Sequence, residues 1–408
     1  MPWKKSCAMN QREEFVLKAL QPNVNFTALC REFNIARKTG YKWLHRFEER
    51  GIPGLDELSR GPAPGTATIA CSADLAIDIL NIRKAHPTWG PKKLRVILLR
   101  RHARGKVPSV RTISRILKRA GLVTPRRVRA KRSPHAKPYV QADASNDVWT
   151  VDFKGWWRVR NGKKSEPLTI RDAYSRYMFA VQLVDAPSYK EVRAVFQRLF
   201  EQYGLPRAIL SDNGSPFVAS KGILGLTRLS VWWMSLGIKP LRSRVGSPQD
   251  NGGHERMHRD MAAELERFPA LNKEEQQRHC DRWRHEFNRH RPHESLGQQT
   301  PHSVYKRSPR PLPAAEPELI YPSAMERRTI SSAGTMRYCM FQRHISSALA
   351  GHQVGIQPMP DQRFRVWFAD FCLGEGNLPW IAPLKPIPPE ENPNPRQVFL
   401  PADVTETT

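Results

Sequence analysis

Apolar residues recur at helical spacing through residues 15–51, "FVLKALQPNVNFTALCREFNIARKTGYKWLHRFEERG", with a break near Asn34. The pattern predicts short helices joined by a tight turn. Ala28, Leu29 and Phe33 are expected on the inner side of one helix, and Tyr41, Leu44 and Phe47 on that of the next. Arg37, Lys38, Thr39 and Lys42 then fall at the start of the second helix, the part of a helix-turn-helix that meets base edges and phosphates. A small helical bundle with a solvated basic face fits the same stripe.

A breaker-rich linker, "GIPGLDELSRGPAPGTA", follows. A second helix pair is expected in "HPTWGPKKLRVILLRRHARGKVPSVRTISRILKRAGLV". There Ser109 is placed to cap a helix with Val110, Ile113, Ile116 and Leu117 inward and Arg111, Arg115, Lys118 and Arg119 outward. The next stretch, "TPRRVRAKRSPHAKPY", is nearly continuous positive charge broken by proline. It predicts a tether that tracks phosphates through residues such as Arg126 and Arg127 and makes binding salt-sensitive.

From about residue 146 the period changes to that of strands. "DVWTVDFKGWW" alternates, Asn161 and Gly162 offer a hairpin turn, and "PLTIRDAYSRYMFAVQLV" supplies two more strands around a polar corner. Ser188 with Glu191 reads as a capping box for a helix that buries Val192, Val195, Leu199 and Phe200, and "RAILSD" returns as a strand. Strands in hairpin order, a helix and a further strand predict a mixed α/β sheet. After a Pro-rich bridge, short alternating runs and Gly turns over residues 327–380 predict a small β-barrel, with "RFRVWFADFCLGE" as a hairpin. Arg327, Arg328, Arg343, Arg363 and Arg365 offer it a further nucleic-acid contact.

Charge changes the picture from architecture to partner. The 408 residues contain 66 Lys+Arg and 38 Asp+Glu, a formal charge of +28, which favours a polyanion. No apolar run reaches the roughly 18 residues that span a bilayer, and "MPWKKSCAMNQREE" has no apolar signal core. Six scattered cysteines make neither a CxxC pair nor a disulfide framework. These features predict a reduced, cytoplasmic protein that faces nucleic acid and no membrane.

Two strands of the expected sheet end in a carboxylate, Asp152 after Val151 and Asp212 after Leu210 and Ser211. Either alone reads as a turn residue or helix cap. Side by side their charges repel unless cations are shared between them. Glu255 follows a turn-rich segment into a helix, "GSPQDNGGHERMHRDMAAELE". Taken alone it is a first-turn acid stabilised by the macrodipole; opposite the two aspartates it becomes a third oxygen donor for a hard metal.

Residues 146–305 resemble the catalytic core of the insertion-sequence transposases that share the retroviral-integrase, or ribonuclease-H-like, fold. The motifs are "WTVDFKG", "RDAYSRY", "ILSDNGSPF", "GIKPLRSRVGSPQDNGGHERMHRDM" and "FNRHRPHESLGQQTPHSVY", in that order. The resemblance implies that Asp152, Asp212 and Glu255 are the DDE triad. Asp212 and Glu255 lie 43 positions apart, longer than in the commonest members, and the extra length falls in "ASKGILGLTRLSVWWMSLG". It further implies two Mg2+ ions about 4 Å apart, replaceable by Mn2+, with Asp152 as the bridge and Glu255 completing one shell. On the same resemblance, water is expected to free a 3′-hydroxyl at the element end, which then attacks target DNA, and the bacterial nucleoid is the expected place of action. The expected partners are the terminal repeats, target DNA and at least one further copy of the chain.

The expected organisation is a first helix-turn-helix domain (1–60), a second (61–124), a basic linker (125–145), the ribonuclease-H-like core (146–308), a Pro-rich linker (309–326), the barrel (327–380) and a disordered tail (381–408). Asn213 and Gly214 are expected to shape the turn after Asp212. Asn251, His254, Arg256, His258 and Arg259 are expected on a helix face that is either solvated or against DNA near the metals. Asp172 is expected at a strand end, His293 in packing, and Trp156, Trp157, Trp232 and Trp233 in core or sheet packing. Two other readings share part of this pattern: a DNA-binding regulator with an inactive integrase-like core, and a metal-dependent nuclease without strand transfer.

Overall fold

The computed structural model describes residues 8–57, 71–123, 140–244 and 252–391. The chain divides into two compact units between Ala70 and Cys71.

The first unit is helical: α1 (Ala8–Ala19), α2 (Phe26–Glu32), α3 (Arg37–Arg50) and a 3-10 turn (Ile52–Leu55). Asn25 caps α2, accepting from Ala28 N at 3.1 Å, and Asn34 turns the chain toward α3 with φ +52°. Phe15, Val16, Leu29, Cys30, Trp43 and Leu55 form the core. Leu29 lies in this core and Phe33, Leu44 and Phe47 pack against it as expected, while two of the expected inner positions differ. Ala28 is exposed and Cys30 buried, while Tyr41 is exposed, stacked on Phe26, and Trp43 takes the inner position. The close approach explains the shift, because a Cβ on Gly40 would lie 2.8 Å from Cys30 Sγ and 2.9 Å from Phe15 Cζ. With Gly40 facing α1 and α2, its neighbour Tyr41 turns outward.

The second unit begins with α4 (Ala73–Ala85), α5 (Pro91–Arg101) and α6 (Val110–Arg119) around Ile79, Leu94, Leu98, Ile113 and Leu117. Ser109 caps α6 as expected, accepting from Thr112 N at 3.2 Å. Arg111, Arg115, Lys118 and Arg119 face outward, but Val110 is exposed rather than inward. Helix α4, capped by Ser72, lies ahead of the helix pair read from the sequence. Arg126 and Arg127 lie outside the described residues.

The central sheet follows: β1 (Val148–Phe153), β2 (Trp157–Arg158), β3 (Lys164–Asp172), β4 (Met178–Val184), α7 (Tyr189–Tyr203), β5 (Ala208–Ser211), α8 (Arg228–Ser235) and β6 (Lys239–Arg242). Strand order is β2-β3-β1-β5-β6, with β4 also on β3. The pairs β1–β3 and β3–β4 are antiparallel and β1–β5 and β5–β6 parallel, the mixed sheet expected. Ser188 caps α7, accepting from Glu191 N at 3.3 Å. Glu191 does not close the box on Ser188; its carboxylate accepts from Asp185 N at 2.8 Å and Ala186 N at 3.2 Å, tying down the turn that precedes the helix. Helices α9 (Gly252–Met261), extended by a π turn (Ala262–Glu266), α10 (Lys273–Arg289) and α11 (Pro301–Val304) complete this part.

The C-terminal strands are β7 (Glu326–Thr329), β8 (Thr335–Tyr338), β9 (Phe341–His344), β10 (Gln353–Pro358), β11 (Arg363–Phe368), β12 (Phe371–Asn377) and β13 (Lys385–Pro386). They form an open antiparallel sheet, β13-β12-β11-β10-β7, beside a separate β8–β9 hairpin. The expected hairpin is β11–β12, but the expected barrel does not close among the described residues. Strand β13 makes only the pairs Gly374–Pro386 and Glu375–Lys385, and no ladder joins it to β7. It also lies inside 381–408, the stretch expected to be without structure.

The segment "ASKGILGLTRLSVWWMSLG" connects the two sheets. One side of α8 places Leu229, Trp232, Trp233 and Leu236 in the central core. Leu226, Val231 and Met234 instead join Ile330, Met336, Ile356 and Phe364 under the C-terminal sheet. Trp157, Trp232 and Trp233 are buried as expected, whereas Trp156 is 53% exposed. Gly155, at φ +88°, turns the backbone there, and Arg158 and Lys164 lie over the indole of Trp156 at 5.6 and 5.3 Å.

Candidate functional site

The parallel pairing of β1 with β5 sets the site. Val148, Trp149 and Thr150 lie opposite Ala208, Ile209 and Leu210. Asp152 and Asp212 each come two residues after the Thr150–Leu210 pair, so strand alternation carries both to the same face at the same level. Behind them the rings of Phe153 and Phe217 meet at 5.7 Å, closing the apolar side of the two strand ends. Asp212 Oδ1 accepts from Gly214 N at 3.2 Å, and Asn213 Nδ2 donates to Ser243 O at 2.9 Å, so these two residues do shape the turn.

Helix α9 lies against this face through its histidines. Its start follows residues 245–251, which lie outside the described residues and include Asn251. His254 is fully buried. Its Nε2 is 2.6 Å from Thr150 Oγ1 and its Nδ1 3.2 Å from Thr169 Oγ1. Thr169 Oγ1 also lies 2.9 Å from His258 Nε2, and it donates to Asp152 O at 2.9 Å. Arg171 Nε donates to Thr150 Oγ1 at 3.3 Å.

Each hydroxyl has one proton, and that fixes the direction of the chain. Thr169 spends its proton on the Asp152 carbonyl, so it accepts from both imidazoles. His254 is then protonated at Nδ1 and takes the Thr150 proton at Nε2. His258 is protonated at Nε2, which leaves the Nδ1 lone pair facing Asp152 Oδ2 at 3.9 Å. Both rings are neutral, in line with their basicity. Burial, then Arg171 and His258, holds His254 well below its usual range. Burial, then Lys154 and Arg171, brings His258 down to about 3.

Arg171 is the buried cation of the site. Burial, then Arg176, lowers it to about 9 against the pull of Asp172 and Asp152, so it stays charged at neutral pH. Asp172 is buried and structural: it accepts from Asn146 N, Ser175 N and Ser175 Oγ at 2.8, 2.7 and 2.6 Å.

Glu255 sits beside this network rather than in it. It follows His254 by one position on a helix that turns about 100° per residue, and its side chain is exposed. Arg259 Nε donates to its carbonyl at 3.3 Å. Asp152, His254 and His258 bring one ligand atom each within 4.8 Å of one another, whereas the three carboxylates do not form such a group. The expected placement of His254 and His258 on a solvated or DNA-facing side is thus corrected: both face the sheet, while Arg256 and Arg259 keep the outer side. A Gly before a His-x-x-x-His spacing opposite strand threonines is the signal that finds this clamp.

The other expected contacts are on the surface. Arg37, Lys38 and Lys42 are exposed and Thr39 half-buried at the start of α3, and Arg111 and Arg115 are exposed on α6. Among the C-terminal arginines, Arg328, Arg363 and Arg365 pair with Glu326, Asp361 and Glu375. The α4–α6 helices rest on the core through Thr88 with Glu264, Lys92 with Glu294, and His86 Nδ1 2.7 Å from Glu286. No helix among the described residues is long and apolar enough to cross a membrane.

Two models described as integrase core domain match residues 142–248 and 236–301. A helix-turn-helix domain model matches 11–63, and a homeodomain-like domain model 39–117. The insertion element IS476 uncharacterized 39.2 kDa protein of Xanthomonas euvesicatoria is 27% identical over 252 residues, 60% of this chain and 67% of that protein. The insertion element IS407 uncharacterized 31.7 kDa protein of Burkholderia multivorans is 24% identical over 256 residues, 60% of this chain and 86% of that protein. Among solved structures, the HTLV-2 integrase catalytic core domain in complex with magnesium gives a TM-score of 0.32 at 16% identity, covering 40% of this chain and 99% of that one. A simian T-cell lymphotropic virus intasome in complex with the PP2A regulatory subunit B56 gamma gives 0.36 at 13%, covering 72% and 97%.

Proposed function

Because this chain belongs to the insertion-element transposases built on an integrase-type core, we propose that it binds the ends of a mobile element, cleaves them at the 3′ side and joins them to target DNA. The observation that carries the reading is the register of β1 and β5, which brings Asp152 and Asp212 to one level of one sheet face. Two carboxylates brought that close favour a shared cation.

The donors fit a hard divalent ion. Asp152, Asp212 and Glu255 would supply carboxylate oxygens, the ligands that Mg2+ and Mn2+ take. Two bound ions would acidify the attacking oxygen and neutralise charge on the leaving one. The rest of the work falls to the chain. Asp152 is held by its own carbonyl through Thr169, and Asp212 by its turn onto Gly214. His254 and His258 fix the helix that carries Glu255, and buried Arg171 offsets the negative charge of the acids.

The helical modules supply DNA binding, with Arg37, Lys38, Thr39 and Lys42 on α3, Arg111 and Arg115 on α6, and Arg126 and Arg127 beyond it as contacts. Arg256 and Arg259 stand on the outer side of α9, toward DNA at the acids. Joining two ends requires at least two copies of the chain. The domain boundaries expected from the sequence, with an open sheet in place of the barrel, and action on the nucleoid in the bacterial cytoplasm, belong to this proposal.

The test supplies an element-end duplex already cut at its 3′ side, with Mg2+, and looks for product joined to a second duplex. Joined product supports transposition. Cleavage of uncut duplex without joining points to a nuclease, and binding alone to a regulator.

A further inference from the structure

His258 Nδ1 faces a carboxylate oxygen, Asp152 Oδ2, at 3.9 Å. Thr169 gives its proton to the Asp152 carbonyl and lies 2.9 Å from His258 Nε2, which turns Nδ1 toward Asp152. The separation is too long for a hydrogen bond, and ligand bonds of about 2.0–2.2 Å to nitrogen and oxygen span such a gap.

His254 is in the opposite condition. Both of its nitrogens are engaged, with Thr150 and with Thr169. Although it belongs to the same compact group of ligand atoms as Asp152 and His258, it has no lone pair to give.

We propose that His258 Nδ1 is a metal ligand, sharing with Asp152 the ion that this carboxylate holds. The inference rests on the reading of Asp152 as a metal ligand and adds a nitrogen to an otherwise all-oxygen set. A nitrogen donor moves the preference from Mg2+ toward Mn2+ and later first-row ions. Thr169 takes the part of the group that fixes a ligating imidazole: it accepts the Nε2 proton and so aims Nδ1 at the ion.

The experiment binds Mn2+ alone to the full-length protein and reads nitrogen coupling to the ion by pulsed electron paramagnetic resonance, with affinity by calorimetry. Imidazole coupling is expected in the wild type. In His258→Gln the amide replaces Nε2 as donor to Thr169 but offers nothing at Nδ1. Coupling is expected to vanish and Mn2+ affinity to fall about 10- to 100-fold, the usual range for disturbing a ligand shell. In His258→Asn the side-chain oxygen stands near Nδ1, so affinity is expected to return without nitrogen coupling.

Coupling absent in the wild type, or unchanged in His258→Gln, overturns the proposal; the second result would assign the nitrogen to His254. Unfolding curves of the three proteins check that each is folded. The joining assay separates this proposal from the function it rests on. Nitrogen coupling in a protein that joins no DNA leaves the ligand and removes the transposase reading. Joining without nitrogen coupling leaves the transposase reading and removes the ligand.

Discussion

Gly253 leaves its side-chain position to the guanidinium of Arg171: a Cβ built on Gly253 would lie 1.7 Å from Arg171 Nη2. Arg171 is the buried cation beside Thr150, and Gly253 precedes the two residues, His254 and Glu255, that α9 brings to the site. The absence of one side chain therefore sets how closely α9 approaches the sheet.

Gly253→Ala is expected to push Arg171 and α9 apart. Overpacking of this kind costs about 1–3 kcal/mol, readable in urea unfolding. Joining is expected to be lost while binding to element ends persists, since the helical modules are untouched. Wild-type joining in Gly253→Ala contradicts the account of the approach.

Thr169→Val keeps the shape of the residue and removes its hydroxyl. The Asp152 carbonyl loses a donor, and His254 Nδ1 and His258 Nε2 lose their acceptor. Leaving buried polar groups unsatisfied costs about 1–3 kcal/mol. Urea unfolding is expected to show that loss, and the Mn2+ affinity to fall with it. A variant as stable as wild type would show that the hydroxyl does not hold the network.

His293 ties stability to pH. Its ring meets Phe287 edge-on at 4.7 Å, and its buried Nε2 has no hydrogen-bond partner among the described residues. Burial, then Arg291 and Lys93, lowers it to about 3. The folded pKa lies below that of the unfolded chain, so the unfolded chain takes up the proton first as pH falls. The stability contribution is whole above about pH 6.5 and declines from there toward pH 3. At pH 5 the wild type should have lost about 2 kcal/mol through this group relative to pH 7, and His293→Leu should lack that share in urea unfolding at the two pH values.

Met234→Ala tests the join between the sheets. Met234 projects from α8 into the cluster under the C-terminal sheet and is 2% exposed. A buried Met→Ala change costs about 2–5 kcal/mol. Protection of amides in β10 and β11 against hydrogen exchange is expected to fall, while that of β1 and β5 stays. Equal loss in all four strands would show that the two sheets unfold as one.

The strand and helix order of the core was legible because its signals are local: alternation in β1 and β3, the Ser188 cap of α7, and strand-end acids flanked by turn residues. Asp152 and Asp212 were visible for the same reason. The burial of His254 and His258 was not, because a histidine on a charged helix reads as solvated until the threonines opposite it are placed by strand pairing. Non-local pairing also decided the C-terminal sheet, where turns and alternation predict strands but not whether the last meets the first. The shift from Tyr41 to Trp43 came from Gly40, whose contact with α1 and α2 no periodicity in α3 contains.

Asp212, the carboxylate that follows β5 in "ILSDNGSPF", is expected to hold a metal for DNA joining. Duplexes copied from the DNA flanking the gene, incubated with Mg2+ or Mn2+ and either the wild type or Asp212→Asn, test it most directly. The account predicts metal-dependent joined product with the wild type and none with Asp212→Asn, at equal binding to the duplex. Joining by Asp212→Asn at the wild-type rate would contradict it.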